Sequence, residues 1–353
     1  FMPFSLSATG VVNGFRSDID RLTGTFSTQL VTDNQSEDDY TYKSDYSTTT
    51  ELLDSIEDLG ERMSEEGTVL LKNNGALPLS EEETQKISLL GFSSYYPVQG
   101  GDMGSDFREN KGTDADTVDM VNAFAAKGFT INPALQTMYE GMKEEFKTDR
   151  LLPWGAITYY RTTAPGVGEA FTSLEPSQEK LSEADPSWKE SMKDYNVSII
   201  TIARSSGENS EYTPGEAGVN PDQNLNQADP LGLSDTERDI INTAIEEKEK
   251  NGGKVIVLLN NANTMEIDEL ANNDGVDAIL QIGFPGGYGF YGVADILSGD
   301  VNPSGHLADT YAADNQSSPA VQNYGNYGWT NADAAYSINS EVVYAEGIYT
   351  GYK

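Results

Sequence analysis

The stretch Val197-Ser-Ile-Ile-Thr-Ile-Ala203 constrains this chain more than any other. Six of its seven residues are apolar or β-branched, and no polar alternation gives it a solvent face. Such a run reads as a strand buried on both sides, the kind found in parallel sheets with helices on each face. Lys86–Phe92, Lys254–Leu259 and Ala278–Ile282 repeat the pattern. Helical stretches separate these runs, and the alternation implies right-handed crossovers. The expected fold is α/β, a mainly parallel six-stranded sheet sandwiched by helices, with an extended N-terminal arm.

Ligand sites in open α/β sheets lie beyond the carboxyl ends of the strands. The Val197 run ends in Arg204-Ser-Ser-Gly-Glu208, which puts a carboxylate where such a sheet presents its chemistry. Glu211 and Glu216 lie close by, and the residues alone leave all three open. A carboxyl does general-acid work only when burial or a neighbouring charge raises its pKa. The strand Lys86–Phe92 runs into a loop holding Tyr95, Tyr96, Gly100 and Gly101. The tyrosines offer faces for stacking on sugar rings; equally, the glycines permit a tight turn.

Charge narrows the chemistry. Fifty-seven Asp and Glu stand against 22 Lys and Arg, a net charge of −35. That field repels nucleic acid and anionic membrane surfaces, so a neutral ligand is expected. With no cysteine and His306 as the single histidine, disulfides, thiolate catalysis and multi-histidine metal sites are excluded, and no cofactor is called for. No run of about 18 apolar residues marks a membrane span.

Three segments organise the chain. Residues 1–47, rich in Ser, Thr, Asp and Gly, read as an extended arm or linker. Residues 48–312 hold the α/β pattern. It opens with a helix from Thr48 to about Glu66, marked by Leu52, Leu53, Ile56, Leu59 and Met63 at helical spacing and stopped by Gly67. Further helices are expected over Asp116–Ala126 and Pro133–Phe146, then an irregular stretch over 148–185. Ser234 with Glu237 forms a capping box for the next helix. Residues 313–353 loosen into Asn, Ser, Tyr and Gly and end without a cap, which reads as a segment leading out of the domain.

Several segments, in order, resemble the α/β sandwich domain of family 3 glycoside hydrolases. They are Glu66–Leu79, the Arg204–Glu208 turn, Val255–Asn260, Asp277–Gly286 and Ala294–Gly305, and Tyr344–Lys353 is similar to the segment leaving that domain. The resemblance implies a β-glucosidase-like enzyme acting on β-linked oligosaccharides or glycosides. In this family the sandwich partners a (β/α)8 barrel that supplies an aspartate nucleophile, while the sandwich supplies the general acid/base. By position that residue is Glu208, with Glu211 the runner-up and Ser206 and Asn209 as flanking sugar contacts. No segment matches the barrel's motif, a strand running into Ser-Asp-Trp. The barrel is therefore expected in the same polypeptide after this domain, or on another chain. Asn209 stands where many relatives have glycine, and His306 where they have arginine or lysine.

Two other readings compete. One is a catalytically silent sugar-binding or interaction module. The other, a dinucleotide-binding protein, is opposed by the absence of a Gly-x-Gly-x-x-Gly opening a helix after a strand.

Overall fold

The computed structural model describes residues 45–79, 85–100, 117–152, 155–166, 169–208, 210–213, 218–222, 229–323 and 344–348. Most of the expected arm, together with Gly101, Asn209 and Glu216, lies outside them. The chain divides into two compact units, Phe1–Leu52 and Leu53–Lys353. In the first, the helix α1 (Thr49–Gly67) begins, its Glu51 N–H donating to Thr48 Oγ1 at 3.1 Å and its carboxylate accepting from Ser47 N–H at 2.7 Å.

The second unit holds a six-stranded sheet of β1 (Val69–Asn73), β2 (Lys86–Leu90), β3 (Thr130–Ile131), β6 (Val197–Arg204), β7 (Lys254–Asn261) and β8 (Ala278–Gln281), in the order β1-β8-β7-β6-β2-β3. Every pairing is parallel except β1 on β8, which is antiparallel. All eight residues of β6 are buried, as are all but the first of β7. Unbroken apolar runs thus lie where both faces are covered. One face carries α2 (Met120–Ala126) and α7 (Gly289–Ser298), the helix that follows the one-turn α6 (Asp268–Ala271) in the chain. The other carries α3 (Pro133–Gly141), α4 (Gln178–Ala184) and α5 (Asp235–Asn251).

Two elements depart from the sequence expectation. The helix from Pro133 stops at Gly141, and the chain tightens through i→i−3 bonds, Lys143 N–H to the Glu140 carbonyl among them. The irregular stretch 148–185 contains an antiparallel hairpin, β4 (Thr148–Leu152) with β5 (Gly155–Tyr159), followed by α4.

α1 holds the third surprise. Its apolar residues identify it as a helix, yet they do not form the face it packs with. Contact with α7 runs through small residues: a Cβ on Gly292 would meet the Glu61 carbonyl at 2.5 Å, and one on Gly289 would meet Ser64 Cβ at 3.0 Å. The close approach brings Glu61, Glu65 and Asp295 carboxylates within 4.8 Å of one another, with Lys127 paired to Asp295 and Asp300. Burial, then the hydrogen-bonded Asp295 carboxylate, pushes Glu61 up to about 7. Glu65 is raised by the same causes. A carboxyl raised in the folded state stabilises fully below its ordinary value of 4.5 and loses that contribution as pH climbs through about 7. Glu61→Gln should flatten this limb. The thermal midpoint of the wild-type chain should fall more between pH 5 and pH 8 than that of the variant, and parallel curves would refute the assignment.

Candidate active site

The strand order places the site. From β2 the chain passes outward to β3, and then returns to the other side of β2 as β6. The order reverses between β2 and β6, and crevices that bind ligands open at such points. Both loops singled out in the sequence begin there. Leu90 at the end of β2 pairs with Ile200, and β6 runs four residues further to Arg204.

Arg204 anchors the start of the β6 loop. Its guanidinium is buried and donates five hydrogen bonds: Nε to the Pro230 carbonyl at 2.8 Å, Nη1 to the Ala203 carbonyl and Glu237 Oε1 at 2.8 and 2.7 Å, and Nη2 to the Gly232 carbonyl and Glu237 Oε2 at 2.7 and 2.9 Å. Burial on its own would lower the pKa of Arg204, but the Glu237 charge and hydrogen bonds outweigh it and hold the group above its ordinary value. Glu237 also closes the expected capping box of α5, taking the Ser234 N–H at 2.8 Å while Ser234 Oγ takes the Glu237 N–H. Next along, the fully buried Ser205 has its carbonyl bound by Tyr212 OH at 3.0 Å and Asn263 Nδ2 at 3.3 Å, and its hydroxyl by Arg161 Nη1 at 3.4 Å. Ser205 and Tyr212 therefore close a loop at its base.

Glu208 stands exposed at the turn of that loop, where Ser210 N–H donates to the Gly207 carbonyl. The stretch 155–177 clamps the loop through main-chain groups. Glu211 N–H reaches the Pro165 carbonyl at 2.9 Å, Ser210 bridges Gly166, and Ser173 N–H reaches the Val219 carbonyl at 3.0 Å. Glu211 is exposed and Ser206 half-buried beside Glu208.

The β2 loop is placed differently from expectation. Tyr95 is only 7% exposed; its ring stacks on Tyr139 at 5.1 Å and its hydroxyl donates to the Leu89 carbonyl at 2.9 Å. It is a core residue with no face left for a sugar ring, because aromatic composition marks cores and stacking platforms alike. Tyr96 is half-buried against Phe92, under Lys143, whose Nζ also sits 4.5 Å from the centre of the Tyr160 ring. Gly100 leads toward the β8 loop, where Gly286 N–H donates to the Gln99 carbonyl. His306 is exposed, next to Gly305, whose N–H donates to the Thr68 carbonyl.

Two buried polar residues that organise this edge escape a reading of sequence. Asn260, at the end of β7, takes the Val98 N–H at 2.7 Å and donates to the Val98 and Gly283 carbonyls at 2.9 and 2.7 Å, stapling the loops after β2 and β8. Its place at the end of an apolar run was the available signal. Glu175 takes the Phe92 N–H at 2.8 Å and lies 3.4 Å from Tyr139 OH, while its carbonyl accepts from Asn220 Nδ2 at 2.9 Å. Burial drives its carboxyl far above the usual range. Beside the Glu208 loop, Tyr212, Asp229, Pro230, Leu231, Asn315, Ala320 and Val321 line a cavity of about 220 Å³; a larger one, about 650 Å³, lies between α3 and α4. Among the described residues the carboxylates grouped closely enough for a cation are Glu61, Glu65 and Asp295, on α1 and α7.

Residues 68–352 match the glycosyl hydrolase family 3 C-terminal domain. The chain is 26% identical over 291 residues to a β-glucosidase of Ruminococcus albus, covering 82% of this chain and 25% of that one. It is also 26% identical over 272 residues to a probable β-glucosidase A of Aspergillus flavus, with 76% and 26% covered. Among solved structures, β-glucosidase 3B of Thermotoga neapolitana in complex with glycerol superposes with a TM-score of 0.59 at 27% identity, over 83% of this chain and 34% of that one. The chain spans about a quarter of the length of these curated relatives. No helix of the described residues is long and apolar enough to cross a membrane.

The Arg204–Glu237 pair sets the loop's origin, and breaking it should be costly in a specific way. Arg204→Met strands a buried carboxylate and should lose about 3 kcal/mol or more in urea unfolding. Adding Glu237→Leu should return a good part of that loss. A single variant as stable as wild type would remove the pair from this role.

Proposed function

Since the chain belongs to glycosyl hydrolase family 3 through that family's C-terminal domain, we propose that it supplies the proton-transferring half of a retaining β-glycosidase site, with Glu208 as general acid/base. The observation that carries this reading is the place of Glu208. It stands on a loop held at its base and along its length, at the carboxyl end of β6 beside the β2–β6 switch point. The loop is fixed and its carboxylate is left outward, which is how a group that must meet a second surface would be mounted.

A retaining glycosidase needs two carboxyl groups about 5–5.5 Å apart, one as nucleophile and one as acid then base. In this reading Glu208 is the second, and the nucleophile is an aspartate on a (β/α)8 barrel. The acid protonates the departing glycosidic oxygen while the aspartate attacks the anomeric carbon. Glu208, now a carboxylate, then takes a proton from the water that releases the sugar. A carboxyl holds its proton near neutral pH when it is buried or faces another carboxylate. The exposure of Glu208 thus fits a site completed by apposition of the barrel. Ser206 and Asn209 flank it as sugar contacts, and the β-glucosidase names of the relatives point to β-linked glucosides as the substrate class.

The outward position of Glu208 is also what a silent sugar-binding module would show. Calorimetry of the 353-residue chain with cellobiose separates the two, since tight binding without a barrel favours the module. For catalysis the test is leaving-group dependence. In the chain completed by its barrel, Glu208→Gln should slow glucosides of poor leaving groups by about 10²-fold or more, and activated aryl glucosides far less. Equal loss on both removes Glu208 as the acid, and loss on Glu211→Gln instead transfers the role.

A further inference from the structure

Glu175 is a buried carboxyl that the proposed reaction does not use. It is 7% exposed, and Ser173, Leu174, Pro176 and Ser177 are buried around it. Its Oε2 takes the Phe92 N–H at 2.8 Å, and its Oε1 lies 3.4 Å from Tyr139 OH, which in turn takes the Gly91 N–H at 3.1 Å. Phe92 opens the one-turn helix Phe92–Ser94 after β2, and a first-turn N–H has no partner within its own helix. Gly91 stands at φ 90° with so little room that a Cβ there would meet the Thr201 carbonyl at 3.0 Å and Glu175 Oε2 at 3.4 Å. The carboxyl thus satisfies donors that the backbone at the end of β2 leaves open.

From this point a series of contacts leads to the Glu208 loop. The 171–177 segment that carries Glu175 pairs its Phe171 carbonyl and Ser173 N–H with Val219, while Asn220 and Asp222 hold the Glu175 carbonyl and the Ser177 N–H. Phe171 is buried, and its ring lies 6.3 Å from that of Tyr212, tilted by 57°. Tyr212 OH donates to the Ser205 carbonyl at the base of the loop. Glu175 therefore holds one end of a route that finishes where the Glu208 loop begins.

The surroundings decide the charge state of the carboxyl. Tyr139 faces it from α3 and Phe92 from the turn after β2, while Glu237 of α5 and Asp222 act on it as neighbouring carboxylates. Glu237 is committed to Arg204 and Asp222 to the Ser177 N–H. Among the described residues no Lys or Arg forms an ion pair with Glu175. A buried carboxyl with carboxylates near it and no cation keeps its proton. A phenol oxygen has two acceptor sites, so Tyr139 OH can take the Gly91 N–H and the acid proton together.

We propose that Glu175 is a positioning residue for the reaction assigned to Glu208: an undissociated acid that joins the turn after β2 to the 171–177 segment and, through Phe171 and Tyr212, steadies the base of the acid/base loop. This rests on the reading of Glu208 as the general acid/base.

Infrared spectroscopy and hydrogen exchange on the 353-residue chain test the proposal. At pH 7 the wild-type spectrum minus that of Glu175→Gln should hold the carbonyl band of a protonated carboxyl, and carboxylate bands in its place overturn the neutral form. Glutamine offers an oxygen to the Phe92 N–H and an N–H to Tyr139 OH, so the amides of 205–212 should exchange in Glu175→Gln as in wild type. In Glu175→Leu they should exchange about tenfold faster or more, with β7 unchanged. Unchanged exchange over 205–212 overturns the proposal. So does an equal acceleration in β7, which would make Glu175 a support of the whole fold. Phe171→Ala keeps the test decisive should Glu175→Leu fail to fold: it should loosen 205–212 and leave the infrared band in place, and a loop as protected as in wild type refutes the route.

With the barrel present, Glu175→Leu should slow glucosides of poor leaving groups by about tenfold or more and activated aryl glucosides less, the pattern of a misplaced acid, and Glu175→Gln should restore the rate. If Glu175→Leu loosens the loop while Glu208→Gln keeps full activity, the support of the loop stands and the acid/base reading falls. If Glu208→Gln behaves as an acid variant while Glu175→Leu leaves loop and rate unchanged, the positioning role falls alone.

Discussion

A buried guanidinium is tolerable only when every N–H finds an acceptor, and Arg204 meets that condition with five bonds to Glu237 and three carbonyls. The consequence is geometric. The Ala203, Pro230 and Gly232 carbonyls belong to the end of β6 and the approach to α5, while Glu237 belongs to the first turn of α5 and caps it. One side chain therefore fixes the end of the central strand, the incoming chain and the helix start relative to one another. Everything downstream, from Ser205 to the exposed Glu208, is suspended from that point.

The loop's other supports are arranged around this anchor. Tyr212 and Asn263 close its base on the Ser205 carbonyl, and Glu175 holds the 171–177 segment against the end of β2 while that segment pairs with Val219. Asn260 ties together the loops on the neighbouring strands. The polar groups at this edge are thus spent mainly on holding loops in place. A carboxylate on a rigid mount can be brought against a second surface without paying again to order its own backbone.

The strands were legible because burial on both faces leaves an unbroken apolar run, and Val197–Arg204 and Lys254–Asn261 follow that rule. The exposed place of Glu208 just beyond β6 was legible because the apolar run stops at Arg204 and a small-residue turn follows. Tyr95 was not, since a stacked core ring and an open platform share one residue type. The β4–β5 hairpin hid behind strands of five residues with weak alternation. Asn260 and Glu175 hid because burial of a polar group is a property of its three-dimensional neighbours. α1 shows the sharpest limit: periodicity identified the helix, but Gly289 and Gly292 on a distant segment decided which face packs inward.

The clamp on the Glu208 loop is made from peptide groups: Pro165, Gly166, Ser173 and Val219 contribute carbonyls and N–H donors rather than side chains. Peptide contacts are blind to residue identity. Side chains at Glu211 and Ser173 can therefore change without loosening these peptide contacts. A loop held in this way keeps its path apart from the chemistry of its side chains, so the two can be altered independently.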